Sequence, residues 1–342
     1  MPIKTLVPRA AGQYSAFPTC VTVGDSFYLF YRQGQKGKWG THGFGGTVQR
    51  AAWNKAALLT YLEGQTDSCP EPQTATLFGK TGHNEMDAIV SPLGETTSLA
   101  TRYFDKNRGM FSFVSFSRDL SFPDRQAVTV PGLHWFVFYG KAFVHGDDFL
   151  FPAYGGTKPG VLMEPFLLAT KRTQPGAAWR VFAAPASGTD TLQLNESSLC
   201  FFENTWHLFS RKHGKPFALY HTTSPDLNQW SKPVEWQSHA HAPMAVVFEN
   251  RVYLSYRTIL SDENEEGCEA KPVAGTALSR PFEDAPDLVL DTFPGNIYDG
   301  GYSDITQLDG RLLVVYYHGN TAGEPYLRAW LQDKPDDWTV RE

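Results

Sequence analysis

The chain has little of what would bind nucleic acid, cross a bilayer or cross-link itself. Its 30 Lys and Arg residues are outnumbered by 36 Asp and Glu, a formal net charge of −6. That balance argues against the basic surface that phosphate binding demands, and no nucleic-acid partner is expected. No apolar run is long enough to span a hydrocarbon core, which predicts no membrane insertion. Cysteine is scarce: Cys20, Cys69, Cys200 and Cys268 show no Cys-x-x-Cys spacing, so reduced thiols are expected in place of disulfides or metal ligands. The opening Met1 to Arg9 lacks the continuous apolar core of a secretory signal. No Ser/Pro-rich linker and no low-complexity segment interrupts the chain, so residues 1–342 read as a single domain. His239 and His241 have a spacing that puts both rings on one strand face, but no acidic third ligand is evident, and neither a metal nor a cofactor is implied.

What is present is a repeat. Six turn dipeptides, Gly24-Asp25, Gly94-Glu95, Gly146-Asp147, Glu203-Asn204, Glu249-Asn250 and Asp309-Gly310, are each flanked by apolar or alternating runs such as Phe27 to Tyr31 and Leu312 to Tyr316. Each reads as the turn of a β-hairpin. With two-residue turns, the residues expected to face each other are Phe17/Arg32, Asp87/Arg102, Tyr139/Tyr154, Glu196/Arg211, Ala242/Arg257 and Tyr302/Tyr317. Directly opposed side chains have Cβ atoms roughly 4.5–5.5 Å apart, so arginines, carboxylates and tyrosines recur at one structural level and mark a candidate site. Repeats 46 to 70 residues apart suit four-stranded β-propeller blades, starting near residues 14, 83, 137, 194, 239 and 299. The segment Ile3 to Val7 is expected to complete the sheet of blade six. A glycine-rich excursion from Gln33 to Gly46 and an acidic loop from Ser261 to Glu269 follow the second strands of blades one and five.

Blade four carries Asn195-Glu196, a hairpin, Ser210-Arg211, Leu219-Tyr220 and then Ser224-Pro225-Asp226-Leu227-Asn228-Gln229-Trp230. Blade six carries Gly301-Tyr302-Ser303, Leu308-Asp309-Gly310 and Tyr316. These segments resemble the corresponding blades of the sialidase-like six-bladed β-propellers, phage endosialidase-type propellers included; Ser224 to Trp230 is similar to their aspartate box, one residue short and with Asn228 in place of the usual glycine. The resemblance implies an all-β fold of six four-stranded antiparallel blades. It also implies a glycosidase acting on an acidic sugar of a glycan or polysaccharide, an anionic partner. In that family a tyrosine attacks the anomeric carbon, a glutamate polarises it, an aspartate is the acid/base and arginines hold the substrate carboxylate. Tyrosine, with an ordinary pKa of about 10, needs a base to become a nucleophile.

Carried onto this chain, the resemblance implies Tyr302 as nucleophile and Glu196 as its base, with Arg211 and Arg257 on the carboxylate. Asp87 is the candidate acid/base, and Arg32, Arg102, Tyr139 and His239 are further candidates for substrate binding. The chain departs from the family at Ser15-Ala16-Phe17-Pro18, where the family's first arginine, which precedes an apolar residue and a proline, is missing. Three other readings stay open: a lyase acting on uronic acids, a five-bladed furanosidase-like propeller, and a propeller that binds glycans without catalysis. The expected location is cytoplasmic or virion-associated unless a signal has been removed.

Overall fold

The computed structural model describes residues 3–37, 44–79, 84–105, 109–158, 163–186, 192–260, 273–294 and 299–332. The acidic loop, Cys268 and the centre of the glycine-rich excursion lie outside them. The first strand, β1 (Lys4–Val7), stands apart from the blade that follows it. Blade one is β2 (Gln13–Val23), β3 (Ser26–Gln35), β4 (Phe44–Asn54) and β5 (Gln73–Phe78), with helix α1 (Lys55–Leu62) inserted before its last strand. Blade two is β6 (Asn84–Leu93), β7 (Thr96–Asp105), β8 (Gly109–Ser117) and β9 (Gln126–Ala127). In blade three the first strand is split into β10 (Trp135–Phe138) and β11 (Phe143–His145), followed by β12 (Asp148–Gly156), β13 (Glu164–Lys171) and β14 (Arg180–Ala183). Blade four is β15 (Leu194–Phe202), β16 (Thr205–Lys212), β17 (Ala218–Ser224) and β18 (Val234–Ser238). Blade five is β19 (Ala240–Phe248), β20 (Arg251–Ile259), β21 (Val273–Ser279) and β22 (Leu288–Pro294). Blade six is β23 (Ser303–Leu308), β24 (Arg311–His318) and β25 (Tyr326–Leu331), completed by β1, which pairs antiparallel with β25. The fold is an all-β, six-bladed propeller of four-stranded antiparallel blades.

All six first hairpins turn at the dipeptides read from the sequence. Both turn residues have positive φ in Glu203-Asn204, Glu249-Asn250 and Asp309-Gly310. That backbone has the twist that matches paired strands, and it selects Gly, Asn and Asp.

Contacts group the chain into two compact units. Unit one comprises Met1–Ala88 and Val246–Glu342, and unit two comprises Ile89–Ala245. The core of unit one packs Tyr14, Phe17, Phe27, Trp53, Leu58, Leu313 and Tyr317 together, with Tyr302 at its edge. Within each unit a buried polar side chain on a first strand accepts a main-chain N–H from a neighbouring blade. In unit one Asp304 Oδ2 accepts from Cys20 N at 2.7 Å. In unit two Ser91 Oγ accepts from Ala142 N at 2.8 Å and Ser198 Oγ from Ala245 N at 2.9 Å. Each such bond contributes about 0.5–1.5 kcal/mol net, and an orphaned buried N–H would cost more.

Three expectations change. In blade one Ala16, not Phe17, faces Arg32, because the register slips between Ala16 and Thr19. There Phe17, at φ 53°, and Pro18, which has no N–H for the ladder, together oppose Tyr31. In blade three Tyr154 faces Val137, and Tyr139 N instead donates to Pro152 O, because the first strand breaks after Phe138. The rings of His239 and His241 do not share a face: His239 has φ 55° and is exposed, whereas His241 is fully buried with its ring edge-on to Phe217. The positive φ interrupts the strand alternation between them.

Candidate functional site

The sequence-derived candidates fall into two groups, one per unit. In unit one, Arg32 and Arg257 occupy the same place in their repeats and are both fully buried. Arg32, on β3, donates through Nε to Glu85 O at 2.5 Å and through Nη2 to Asn84 Oδ1 at 2.8 Å, both at the start of the next blade. Arg257, on β20, donates through Nε to Gly300 O at 2.5 Å, just ahead of its next blade, and through Nη2 to the Tyr317 hydroxyl at 3.3 Å. A guanidinium suits this use because its planar fork serves several acceptors while staying charged. Burial lowers the pKa of Arg32 to about 10, against the opposing pull of Tyr14, Asp87, Tyr317 and Asp299. It remains a cation at neutral pH, and half-buried Asp87 is part of its electrostatic surroundings.

Tyr302 lies half-buried beside this arrangement. The Arg257 guanidinium sits 4.5 Å from its ring centroid, a cation–π distance. Tyr317 stacks on it at 6.0 Å, and Phe17 meets it edge-on at 5.4 Å. The expected Tyr302/Tyr317 opposition is therefore present, with Tyr317 N bonded to Tyr302 O at 3.3 Å. Behind Tyr317, the Tyr14 hydroxyl donates to Asp299 Oδ1 at 2.9 Å, and Arg32 lies 5.2 Å from the Tyr14 ring. Burial, then Tyr317 and Asp299, push the Tyr14 phenol well above its ordinary value, so it stays protonated as a donor.

In unit two, Arg211 Nη1 contacts Glu196 Oε2 at 3.0 Å, and both side chains are nearly buried. The contact is made through a bulge. Asn195 and Glu196 together oppose Arg211 between the Leu194–Lys212 and Ser197–Ser210 pairs, and Asn195 Oδ1 accepts from Glu196 N at 2.9 Å. A bulge re-aims a side chain in this manner next to a functional residue or a sheet edge. His213 lies alongside, its pKa lowered by burial and then by Arg211. Tyr139 is buried, His239 is exposed, and Arg102 points its Nη1 at Met110 Sδ, 3.4 Å away. A cavity of about 720 Å³ also lies in unit two, lined by Gly94, Arg118, Asp147, Phe149 and Arg172. It sits at the turn end of the first hairpins, at the opposite end of the strands from Glu196 and Arg211.

No protein-family model matches the chain, and no curated protein does. Solved structures do. A protein of unknown function from Dyadobacter fermentans superimposes with a TM-score of 0.72 at 18% identity, covering 97% of this chain and 99% of its own. Trypanosoma rangeli sialidase in complex with sialic acid gives a TM-score of 0.64 at 13% identity over 96% of this chain. The NanB sialidase of Streptococcus pneumoniae, as its K499G mutant, gives 0.60 at 10% identity over 96% of this chain. The fold is sialidase-like. This sialidase-like propeller spans 58% of the length of the Trypanosoma enzyme and 70% of the NanB chain. At these identities the likeness is one of fold, and residue roles have to be argued from the chain itself.

Sequence reasoning missed Tyr14 and Asp299. Asp299 could have been noticed as the residue that opens the Asp-Gly-Gly-Tyr run ending at Tyr302. Nothing local marks Tyr14, which lies 285 residues from its partner.

Proposed function

We propose that the chain is a glycoside hydrolase of sialidase-like type, cleaving an acidic sugar from a glycan or polysaccharide, with Tyr302 as its nucleophile. The observation that carries this reading is the setting of Tyr302: a half-buried phenol delivered from a glycine turn, with a buried guanidinium 4.5 Å from its ring. A neutral phenol is a fitting nucleophile for a sugar bearing a carboxylate at the anomeric carbon, because an anionic one would be repelled. The nearby cation favours approach of the acid and stabilises charge developing on the phenol oxygen. Glu196, nearly buried and held by Arg211, is assigned as the base that the tyrosine requires, and Asp87 as the acid/base. Arg211 is the arginine assigned to the substrate carboxylate. Because the Trypanosoma neighbour is a sialidase carrying sialic acid, sialosides are the first substrates to test.

Tyr302→Phe and Glu196→Gln are each expected to lower turnover by roughly a thousandfold or more while the thermal unfolding profile is kept. Retention of activity in both variants would refute the assignment. A second reading, a glycan-binding propeller without catalysis, is favoured by the burial of Arg32 and Arg257, whose guanidinium groups are engaged by main-chain carbonyls. Glycan binding that survives Tyr302→Phe, with no product detected by mass analysis, would select it.

A further inference from the structure

The turn Asp299-Gly300-Gly301-Tyr302 is held at three successive residues from three different blades of unit one. Asp299 Oδ1 accepts from the Tyr14 hydroxyl of β2 at 2.9 Å, and both residues are buried. Gly300 O accepts from Arg257 Nε of β20 at 2.5 Å. Gly301 N donates to Tyr317 O of β24 at 2.8 Å. Neither glycine leaves room for a side chain: a Cβ on Gly300 would run into the Phe293 ring, and one on Gly301 would lie 2.8 Å from Arg257 Cγ. Gly301 also has φ +81°, a backbone that disfavours any other residue. Behind Tyr14, Arg32 caps its ring and is itself anchored to Glu85 O and Asn84 Oδ1. A relay of fixed groups thus runs from the start of blade two, through Arg32, Tyr14 and Asp299, to the residue that precedes the two glycines.

We propose that Tyr14 and Asp299 are positioning residues, a buried hydroxyl–carboxylate clasp that fixes the backbone from which Tyr302 is presented. The inference rests on the reading of Tyr302 as the reacting group. Its physical basis is that a reacting atom must be held within a fraction of an ångström, and an error of about 1 Å can cost roughly a hundredfold in rate. A two-glycine turn has too much freedom to supply that precision by itself, so the fixing must come from groups outside it. The Tyr14 phenol suits the task because it stays protonated and donating across the working pH range.

The test uses the full chain with 3-fluorotyrosine at position 302, observed by fluorine NMR, alongside sialoside kinetics. Tyr14→Phe removes one oxygen and leaves the packed ring in place. It is expected to lower kcat by about ten- to a hundredfold with KM changed by less than about twofold. The fluorine resonance should shift or split as the ring samples a second position. Asp299→Ala should do the same, and Asp299→Asn, whose amide oxygen still accepts from Tyr14, should recover most of the loss. An unchanged resonance together with unchanged kcat in both Tyr14→Phe and Asp299→Ala would overturn the clasp. A wild-type chain that turns over no acidic glycoside would overturn the hydrolase reading alone, and the resonance would still decide the clasp.

Discussion

At the scale of single residues, the most instructive groups are the arginines that recur at the ends of second strands. Their spacing is that of a site, yet Arg32 and Arg257 are turned inward onto carbonyls at the start of the next blade. Arg211, at the equivalent position of its repeat, contacts a carboxylate because a bulge carries Glu196 to it. One residue type at one repeat position therefore serves two ends, decided by which acceptor lies opposite. The glycine beside Arg257 is equally specific. Gly301→Ala should lower the free energy of unfolding by about 1–2 kcal/mol from the left-handed backbone alone, with a further loss from contact with Arg257. Urea denaturation of the variant measures it, and a midpoint equal to wild type would contradict the account.

At the scale of elements, alternation and turn chemistry make the hairpins, and local polar side chains finish them. The Ser224 to Trp230 segment closes on itself: Asp226 Oδ1 accepts from Asn228 N and Gln229 N, both at 2.9 Å, while Leu227, at φ 66°, is driven into the core. Ser117-Arg118-Asp119-Leu120 repeats the design in blade two, with Asp119 Oδ1 accepting from Ser121 N at 3.0 Å and Leu120 at φ 62°. Both segments follow third strands, so they are structural turns and not nucleophile motifs. The helix in blade one was not anticipated. Its signal is Asn54, whose side chain accepts from Ala57 N at 3.1 Å as an N-cap, followed by a run of good helix formers. Leu58 and Leu62 are buried, and the Tyr61 hydroxyl bonds to Thr5 O, so the helix secures β1 against the blade-six sheet. Asn54→Ala is expected to cost about 1 kcal/mol, read as a lower melting temperature, whereas Asn54→Ser should restore most of it.

At the scale of the molecule, acid sensitivity differs between the two units. In unit two, His207 and His221 stack with ring nitrogens 3.0 Å apart, beneath Phe209. Burial, then the neighbouring His207, lowers the pKa of His221 to about 4 from the ordinary 6.5. The unfolded chain therefore takes up a proton that the folded one refuses, and stability should decline as pH falls from about 6.5 towards about 4. In unit one, Asp291 accepts from Tyr316, His318 and Arg328, and these bonds outweigh burial to hold its carboxyl below the ordinary 3.8. The Arg180 bond does the same for Asp148 in unit two, so stability from both carboxylates is present above that pH and lost below it. Melting temperature recorded against pH should show the higher limb flattened by His221→Phe and the lower one left in place. An unaltered profile would remove the histidine pair from the explanation.

The hairpin turns, the strand periodicity, the number of blades and the use of Ile3 to Val7 to complete blade six were all legible in the chain, because positive-φ turns and two-residue alternation are local properties. The opposed tyrosines Tyr302 and Tyr317 were legible for the same reason. Bulges were not: Phe17-Pro18 and Asn195-Glu196 each shift a register, and Phe17 packs against Tyr302 and Tyr317, far away in sequence. Only tertiary structure decided that Arg32 and Arg257 each donate through Nε to a main-chain carbonyl, and that Tyr14 reaches Asp299. A buried donor takes whichever acceptor the folded chain brings within about 3 Å, and no spacing in the sequence states which one that is.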